Sequence, residues 1–407
     1  MLRSMYTAIS SLNLHQTYLD VVANNIANVN TYAYKTSSVT FQNQFAQTLW
    51  SGAAPSGDLG GVNPAQVGLG VQLGTITKDF TQGTLTSTGK SNDLAIQGEG
   101  FFVYSDGTNT YYSRDGALEM DADGYLVNGA TGFRIQGWLA TGTGATATVN
   151  TSGALSDISF PLNTALASAT TSVSLGGNLS AETAGGGAYP ATIGVYDSQG
   201  VLHSITITFT KSSTVDNTWT WAASGDGATA TGTLVFDEDG QYVSGSGNIT
   251  VPDTGGADPI VFAIDYSNLT QLATDSDISI NASDGLEAGT FSGFYQTPAN
   301  GEIYGVYSNG MTQLIGMLAI ASFTNPSGLS VVGQNMYEIS PNSGDPNIGP
   351  AGTGGRGTIA SGYLEGSNVD LGQEFTNMIL AERGFQAASR IITTSDEMLQ
   401  ELVNLKR

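Results

Sequence analysis

The stretch YLDVVANNIANVNTYAYK, from Tyr18 to Lys35, ends a helical pattern that begins at the N-terminus. Up to this end, a set of mostly apolar residues recurs at alternating intervals of three and four. This heptad spacing places the set on one stripe of a helix and predicts a partner helix along it. The stripe consists of Leu2, Met5, Ile9, Leu12, Gln16, Leu19, Ala23 and Ile26, with Gln16 as its one polar position. The pattern stops near residues 28–31, where Asn and β-branched residues replace strong helix formers.

A second helical pattern lies at the opposite end of the chain. Residues 369–407 contain no Pro and only two glycines, Gly372 and Gly384. An apolar residue recurs there every seven positions, which again predicts one stripe on a helix. That stripe consists of Met378, Phe385, Ile392 and Leu399, and it is flanked by Ile391, Met398, Leu402 and Leu405. The two ends therefore predict a coiled-coil-like pair of helices. The sequence between them has a different pattern.

Two long motifs at the ends carry a family resemblance. The N-terminal motif is ANNIANVNT, residues 23–31, with Asn24, Asn25, Asn28, Asn30 and Thr31 as its polar members. The C-terminal motif combines SNVDL at 367–371, AERGFQA at 381–387 and TSDEML at 394–399, and it includes Arg383 and Gln386. Together they resemble the terminal signatures of the bacterial flagellar rod, hook and hook-associated axial proteins.

One position departs from that family pattern. The family has Gly two residues before the Lys that follows the first motif, and this chain has Ala33 before Lys35. Gly adopts positive φ freely, whereas Ala does so only at a cost. Two alternatives follow from the sequence: the backbone at Ala33 is ordinary, or the turn after the helix differs from that of the family.

The composition excludes several classes of function. Charged residues make up 12% of the 407 positions, and the net charge is −23. Between Ile135 and Gly355 the one basic residue is Lys211, against 18 acidic residues. Such a negative surface would repel nucleic acids and anionic membranes, so it argues against binding to either. No apolar run approaches the roughly 18–20 residues of a membrane-spanning helix. The N-terminus does not resemble a cleaved Sec-type signal, and the absence of Cys excludes disulfides.

Between the ends the sequence predicts β structure. Residues 36–71 are rich in Gly, Ser, Gln and Asn without a sustained period, which suggests an extended connector that packs on something else. Asp-Gly and Asn-Gly pairs between alternating runs, as at Asn128-Gly129, Asn300-Gly301 and Asn309-Gly310, predict hairpins. A Gly/Thr/Ala tract at 141–153 is a candidate boundary, and short strands with acidic turns continue beyond it to about residue 282.

The predicted fold is mainly β with terminal α-helices, in a nested arrangement. An inner helical polymerisation domain comprises residues 1–30 and 370–407, and an extended connector comprises 31–71 and 356–369. The first β domain comprises 72–144 and 285–355. A sandwich- or barrel-like outer β domain, 145–284, is inserted within it.

Candidate catalytic and metal sites are weak. The Asp-rich segments at 121–124 and 237–240 resemble the opening of a calcium loop, but Gly132 and Asn248 stand where an EF-hand requires Glu, so Asp-rich turns are expected. Two His residues and no Cys disfavour a metal site or a hydrolytic triad. The Trp219–Trp221 pair is expected to pack in a core rather than stack on sugars. We therefore predict no enzyme, no cofactor and no metal.

The resemblance implies a self-assembling structural subunit. Its expected partners are further copies of itself, the distal rod protein, the hook cap, the hook–filament junction proteins and the flagellar type III export apparatus. It implies export without cleavage and a place in a curved, torque-transmitting tube. The inserted domain favours a hook-type over a rod-type subunit. A secreted acidic β-rich adhesin and a β-sandwich glycosidase are the alternatives from other classes.

Energetics predict that the terminal arms depend on neighbours. Burying about six large apolar side chains is worth about 9–18 kcal/mol gross. Ordering about thirty residues costs about 30–60 kcal/mol in backbone entropy. Backbone hydrogen bonds offset part of the difference. We therefore expect arms that are mobile in the monomer and ordered in a polymer.

Overall fold

Two long helices formed by the chain ends lie side by side. The computed structural model describes residues 2–57, 60–142, 147–162, 164–252 and 255–404. Helix α1 (Leu2–Ala27) and helix α2 (Leu371–Asn404) are about 39 and 51 Å long at 1.5 Å per residue. They are antiparallel, because the end of α1 contacts the start of α2 at Asn25 and Glu374, and His15 lies against Gly384 further along. Met1 and residues 405–407, which the predicted helical domain includes, fall outside the described residues.

A long two-stranded ribbon follows α1. Its strands are β1 (Ser37–Asn43), β2 (Ala46–Trp50), β3 (Ala65–Gly68) and β4 (Val71–Lys78). Strand β1 pairs with β4 and β2 with β3, all antiparallel. The ribbon runs back along α1, since Phe41 meets the ring of Tyr18 and Gly70 closely approaches Ser10.

The ribbon corrects the predicted connector. Residues 36–71 were expected to be irregular, and the boundary at 71/72 assigned residues 72–78 to the first β domain. The structure pairs that segment with β1 instead, so the boundary was placed too early. An alternating pattern identifies a strand, but it does not identify the strand's partner.

The next strands belong to what we call the first β region, residues 85–168 and 286–365. The strands of its outgoing leg are β5 (Leu85–Ser87), β6 (Leu94–Gln97), β7 (Phe101–Ser105), β8 (Thr110–Ser113), β9 (Leu118–Met120), β10 (Leu126–Asn128), β11 (Arg134–Thr141), β12 (Thr148–Val149), β13 (Ser156–Asp157) and β14 (Ala165–Ser168). The predicted boundary at 144/145 lies outside the described residues.

Residues 169–285 form what we call the middle β region. Its strands are β15 (Ser172–Asn178), β16 (Ala188–Tyr196), β17 (Leu202–Lys211), β18 (Thr218–Ser224), β19 (Ala230–Phe236), β20 (Tyr242–Ser246), β21 (Asn248–Val251), β22 (Ile260–Thr270) and β23 (Asp277–Ser283). They form a five-stranded sheet, β16 to β20 in order, and a four-stranded sheet in the order β21-β22-β15-β23. Buried side chains from both sheets, Trp219 and Trp221 among them, form one hydrophobic cluster.

The chain then returns to the first β region. The returning strands are β24 (Leu286–Gln296), β25 (Glu302–Tyr307), β26 (Thr312–Leu318), β27 (Ile320–Ser322), β28 (Ser330–Gly333), β29 (Met336–Glu338), β30 (Asn347–Gly349), β31 (Thr358–Ser361) and β32 (Tyr363–Glu365), with one 3-10 turn at Pro326–Gly328. Strand β11 pairs with β26 and β7 with β27, so the two legs share one sheet and its cores. The last strands, β31 and β32, pair with β6 and β5 and lead directly into α2.

Candidate functional site

The asparagines of the N-terminal motif hold the turn that follows α1. Asn25 is fully buried; its side chain donates to the Ser37 carbonyl at 2.8 Å and accepts from the Ser37 amide at 3.0 Å. The hydroxyl of Tyr34 donates to Asn24 Oδ1 at 2.8 Å. Asn28 accepts from the Thr31 hydroxyl at 3.1 Å. Where the backbone hydrogen bonds of the helix end, side-chain amides provide hydrogen bonds that define a turn. This explains why several Asn residues cluster where α1 ends.

Ala33 adopts a left-handed conformation within this turn. Its φ is 59°, and its side chain is buried. The amide of Ala33 donates to the carbonyl of Glu365 at 2.8 Å, which ties the turn to the returning strand. The sequence left two alternatives, and the one in which the backbone at Ala33 is ordinary is wrong. The turn needs the conformation that Gly supplies, and Ala adopts it at a cost of about 1–2 kcal/mol.

A buried cluster of charges joins the two ends of the chain to the first β region. Lys35 Nζ lies 2.7 Å from Glu365 Oε1, and Arg114 Nη1 lies 3.4 Å from Glu365 Oε2. All three side chains are at least 97% buried. Burial lowers the pKa of Lys35 and of Arg114, because it penalises the charged forms, and the carboxylate of Glu365 opposes that effect. The cluster therefore fixes the ends relative to each other as long as Glu365 is present.

The C-terminal motif ends at the same place. Asn368 Oδ1 accepts from the amide and the hydroxyl of Thr36, both at 2.8 Å. Its Nδ2 donates to the carbonyl of Asp79 at 2.9 Å. Asp370 then caps α2, accepting from the amides of Gly372 and Gln373 at 2.8 and 3.2 Å. Both motifs thus build one joined structure, here called the junction: residues 24–37, 365–374 and Arg114.

Beyond the junction, α1 and α2 meet through small or polar side chains. On α2 the buried positions recur every seven residues: Glu374, Ala381, Ala388 and Ser395. Gly384 allows the close approach, since a Cβ there would lie 2.4 Å from the ring of His15. Burial lowers the pKa of His15. Little apolar surface is therefore buried between the two helices.

The contact line on α1 coincides only partly with the predicted stripe. Ala8, His15 and Asn25 face α2 or are buried beside it, and Val22 is buried. Ala8, His15 and Val22 lie three residues after Met5, Leu12 and Leu19 of the predicted stripe, which on a helix is the same face rotated by about 60°. These positions keep the predicted heptad period, and half of the predicted stripe flanks them. Small residues allow a closer backbone approach than the large residues beside them.

Most large apolar residues of the two helices remain at least partly exposed, although Leu14 and Val22 of α1 are buried. Of the predicted α1 stripe, Met5, Leu12, Leu19 and Ile26 are half-buried, Ile9 and Ala23 are exposed, and the side chain of Leu2 lies outside the described set. On α2 the predicted residues Met378, Phe385, Gln386, Ile392 and Leu399 are half-buried, whereas Arg383, Met398 and Leu402 are exposed. Asn30 is also exposed. Sequence reasoning missed a further exposed apolar set on α2: Phe375, Ile379, Leu380 and Val403.

The ribbon shows the same exposure. Phe45 is 90% exposed, and Leu49 and Trp50 are more than half exposed. An isolated two-stranded ribbon is marginally stable in water, because one face alone buries little apolar surface. The ribbon and the helix pair each expose several large apolar side chains, which is typical of an interaction site.

The sequence offered two Asp-rich segments as candidates for other chemistry, and the structure describes both. Asp121 and Asp237 accept backbone amides of their own turns, from Tyr125 and Gln241 at 2.7 Å each, so they are Asp-rich turns. Within the described ranges, no group of three or more His, Cys, Asp or Glu residues is placed to hold a metal ion. No described helix is long and apolar enough to cross a membrane.

Family profiles match four segments of the chain. Residues 5–35 match "Flagella basal body rod protein", and residues 360–405 match "Flagellar basal body rod FlgEFG protein C-terminal". Residues 95–181 match "Flagellar hook protein FlgE/F/G D1 domain", and residues 166–286 match "Flagellar basal body protein FlaE D2 domain". Helix α1 from residue 5 onward, helix α2, residues 95–168 of the first β region and the middle β region therefore fall within flagellar profiles.

Whole-chain relatives agree with these profiles. The chain is 37% identical to the flagellar hook protein FlgE of Borreliella burgdorferi, over 100% of both chains. It is 36% identical to FlgE of Escherichia coli K12, over 98% of this chain and 99% of the relative, and 31% identical to the basal-body rod protein FlgG of Bacillus subtilis, over 100% of both. A crystal structure of Helicobacter pylori FlgE2 aligns with 69% of this chain and 100% of its own, at 16% identity and a TM-score of 0.45. From its identity to the FlgE proteins of Borreliella burgdorferi and Escherichia coli over nearly their whole length, the chain belongs to the flagellar hook protein family.

Proposed function

We propose that this protein is the structural subunit of a curved helical tube, the flagellar hook, which acts as a universal joint and encloses the export channel. It carries no enzymatic activity and needs no cofactor. The helix pair forms a coiled-coil-like inner layer, comprising residues 1–30 and 370–407. The ribbon surrounds that layer, and the two β regions form two outer domains.

One observation carries this proposal: the helix pair has small and polar side chains at its contact and large apolar side chains outside. This is the reverse of a coiled coil that is stable by itself. On α2 the contact line of the pair is made of Ala, Ser, Gly and Glu residues, while Phe375, Ile379 and Leu380 face outward. In water, a pair of this kind gains little from intramolecular packing. Neighbouring copies stacked around an axis would bury the outward residues.

The acidic surface of the middle β region fits an outer position. Its residues carry most of the acidic excess of the chain, with Lys211 as the one basic residue. Such surfaces form weak contacts that can slide, because like charges oppose tight association. A tube with a stiff inner layer and sliding outer domains would bend while it turns.

The proposed partners follow from this position. They are other copies of the chain, the distal rod protein below, the hook cap and the hook–filament junction proteins above, and the type III export apparatus. The proposed location is the hook outside the cell, reached without cleavage of a signal peptide.

The rod provides a second candidate, because one relative over the full chain is named a basal-body rod protein. The two candidates predict different polymers. A rod subunit builds a straight and stiff tube, whereas a hook subunit builds one that curves and bends.

Electron microscopy of the concentrated protein tests the proposal. We expect hollow tubes, curved for a hook and straight for a rod. Removing residues 2–30, or 370–407, should leave a soluble and folded β core that no longer polymerises. Tubes formed by either truncated protein would contradict the assembly role of the helices.

A point variant tests the exposed face of α2 directly. Ile379→Asp should raise the concentration needed for polymer by about tenfold or more, since each kcal/mol of lost burial lowers an association constant about fivefold. Its unfolding midpoint should stay unchanged, because Ile379 is exposed in the single subunit. Val215→Asp, an equally exposed apolar position in the middle β region, is the matched control and should change neither quantity.

A further inference from the structure

A cavity of about 520 Å³ in the first β region has Arg114 of the junction in its wall. Three aromatic rings contribute to the same wall. The ring of Phe101 contacts those of Phe80 and Phe323 edge to face, with centroids 5.3 and 5.8 Å away. Protein sites for small ligands have volumes of about 300–1,000 Å³, and they combine an apolar wall with a few polar groups. The cavity therefore has the size and the composition of a ligand site.

The subunit uses only one nitrogen of the Arg114 side chain. Nη1 donates to the carbonyl of Gly98 at 2.8 Å and lies 3.4 Å from Oε2 of Glu365. Among the described residues these are all the hydrogen bonds of the side chain, and Nε is buried without a partner. Arginine has five N–H donors, and a buried donor without an acceptor is costly. Most of the donors of Arg114 are therefore left for a ligand.

The unused donors of Arg114 have the geometry of a fork. In a planar guanidinium, the N–H of Nε and one N–H of Nη2 point in the same direction, which matches the two oxygens of a carboxylate. The guanidinium carbon lies 5.4 Å from the centroid of the Phe101 ring, so the fork stands beside the aromatic part of the wall. A ligand that fills both parts of the wall therefore needs a carboxylate next to an apolar group.

The loop that holds Arg114 is itself fixed by hydrogen bonds. Oε1 of Gln82, which also lines the cavity, accepts the amide of Gly98 at 3.0 Å. The carbonyl of Glu99 accepts the amide of Gly357 at 2.7 Å. Since the same loop accepts from Nη1 of Arg114, the guanidinium has a fixed position before any ligand binds. Such preorganisation lowers the entropic cost of binding.

The charges around the cavity leave Arg114 open to an anion. The buried cluster contains two cations, Lys35 and Arg114, and one carboxylate, Glu365, so it is positive by one charge. A second carboxylate, Glu99, lines the cavity and interacts electrostatically with Arg114. Glu99 is exposed, and within the described part of the chain its carboxylate accepts no hydrogen bond from Arg114. It is a solvated competitor rather than a fixed partner.

We propose that this cavity binds a carboxylate carried on an apolar group. The Nε and Nη2 donors of Arg114 hold the carboxylate, and Phe80, Phe101 and Phe323 hold the apolar part. Two sources supply this chemistry: a free organic acid, and an acidic side chain of a neighbouring copy, since each chain has 35 acidic residues. The cavity lies within one subunit, so binding of a free acid does not depend on the proposed tube.

The test uses phenylacetate as the probe and the full-length monomer as the target. Ligand-observed NMR should show saturable binding with a dissociation constant of about 1–10 mM, as expected for a ligand of this size. Phenylacetamide, which has the same shape without the charge, should bind at least about tenfold more weakly. Arg114→Lys keeps the cation but lacks the fork, so it should weaken phenylacetate binding by a similar factor. Equal binding of the two probes to the parent, or no binding of phenylacetate, would overturn the proposal.

A second variant keeps the test decisive if Arg114→Lys does not fold, since Arg114 also contacts Glu365. Glu99→Gln changes an exposed residue and removes the competing carboxylate, so it should tighten phenylacetate binding about threefold or more and leave phenylacetamide binding unchanged. Glu287→Gln, exposed on β24 and outside the cavity wall, is the control and should change neither affinity. An affinity of Glu99→Gln for phenylacetate equal to that of the parent would contradict a carboxylate site at Arg114.

The polymer distinguishes the two sources of the carboxylate. If a neighbouring copy supplies it, phenylacetate should bind the monomer and not the polymer, because the cavity is already filled there. If a free acid is the ligand, monomer and polymer should bind the probe equally. Both results require the binding to the monomer described above, so the monomer titration alone decides whether the site exists.

Discussion

At Ala33, the geometry of the junction determines the backbone conformation of a single residue. It is buried with a φ of 59°, in the region where Gly is favoured over every other residue. We predict that Ala33→Gly leaves the free energy of unfolding unchanged or raises it by about 1 kcal/mol, because relief of the left-handed conformation offsets the lost methyl group. Chemical denaturation measures the effect.

The matched control is Ala95→Gly. Ala95 is equally buried, but it lies in strand β6 without positive φ. There the same change should lower the free energy of unfolding by about 1 kcal/mol, since it loses burial and gains backbone entropy in the unfolded chain. Equal losses in the two variants would show that the turn at Ala33 is unstrained.

Glu365 is the residue on which the buried cations depend. Glu365→Gln leaves Lys35 and Arg114 facing each other without a full counter-charge, so we predict a loss of about 3–5 kcal/mol in the free energy of unfolding at pH 7. The folded-state pKa of Lys35 is lowered by burial. Lys35 therefore binds a proton more weakly when folded than when unfolded. Stability should recover as the pH rises through the folded pKa toward the ordinary Lys value.

Denaturation midpoints of Glu365→Gln at pH 7 and pH 10 check both parts of this prediction. Glu338→Gln, an exposed position on β29, provides the control and should change neither midpoint. A Glu365→Gln variant as stable as the parent at pH 7 would mean that the cluster has little role in holding the ends together.

At the scale of elements, the helix pair depends on surfaces outside the subunit. Because small residues form the contact line, we predict that amides of residues 5–25 exchange rapidly in the dilute monomer and become protected in the polymer. Amides of strand β7 are the internal reference, and they should be protected in both states because their side chains are buried in the core. Strong protection of residues 5–25 in a monomer would contradict the dependence on neighbours.

At the scale of the whole molecule, the middle β region is attached through one pair of strands. Ser168 lies opposite Leu286, so an Asn-Gly turn can replace residues 169–285 without moving either strand. We predict that this shortened protein still assembles, since the helices, ribbon and first β region are intact. Its tubes should differ in curvature or bending stiffness, which electron microscopy and thermal bending analysis measure.

Loss of all polymer in this variant, with the first β region still folded, would contradict that prediction. It would place an essential assembly contact in the middle β region. Circular dichroism and the buried Trp138 of β11, which lies outside the deleted segment, report whether the first β region remains folded.

Local sequence signals located the two terminal helices and the Asn-Gly hairpins. The heptad spacing at both ends, the Asn cluster that closes α1 and the Asn-Gly turns at 300–301 and 309–310 are local signals, and α1, α2 and the hairpins form where they predicted. These signals are reliable because they depend on backbone preferences and on neighbours within a few residues. The terminal motifs also carried the family, since two long matches at opposite ends are specific.

Which surfaces meet depends on packing between segments far apart in the chain. A heptad stripe does not distinguish a partner in the same chain from one in a neighbouring copy, so the sequence could not show that α2 packs along the line through Ala8 and His15 and leaves Ile9 exposed. It could not place Glu365 between Lys35 and Arg114, or pair Val71–Lys78 with β1, because those contacts join segments far apart in the chain. Burial is a property of packed surfaces, and it becomes definite when the chain has closed on itself.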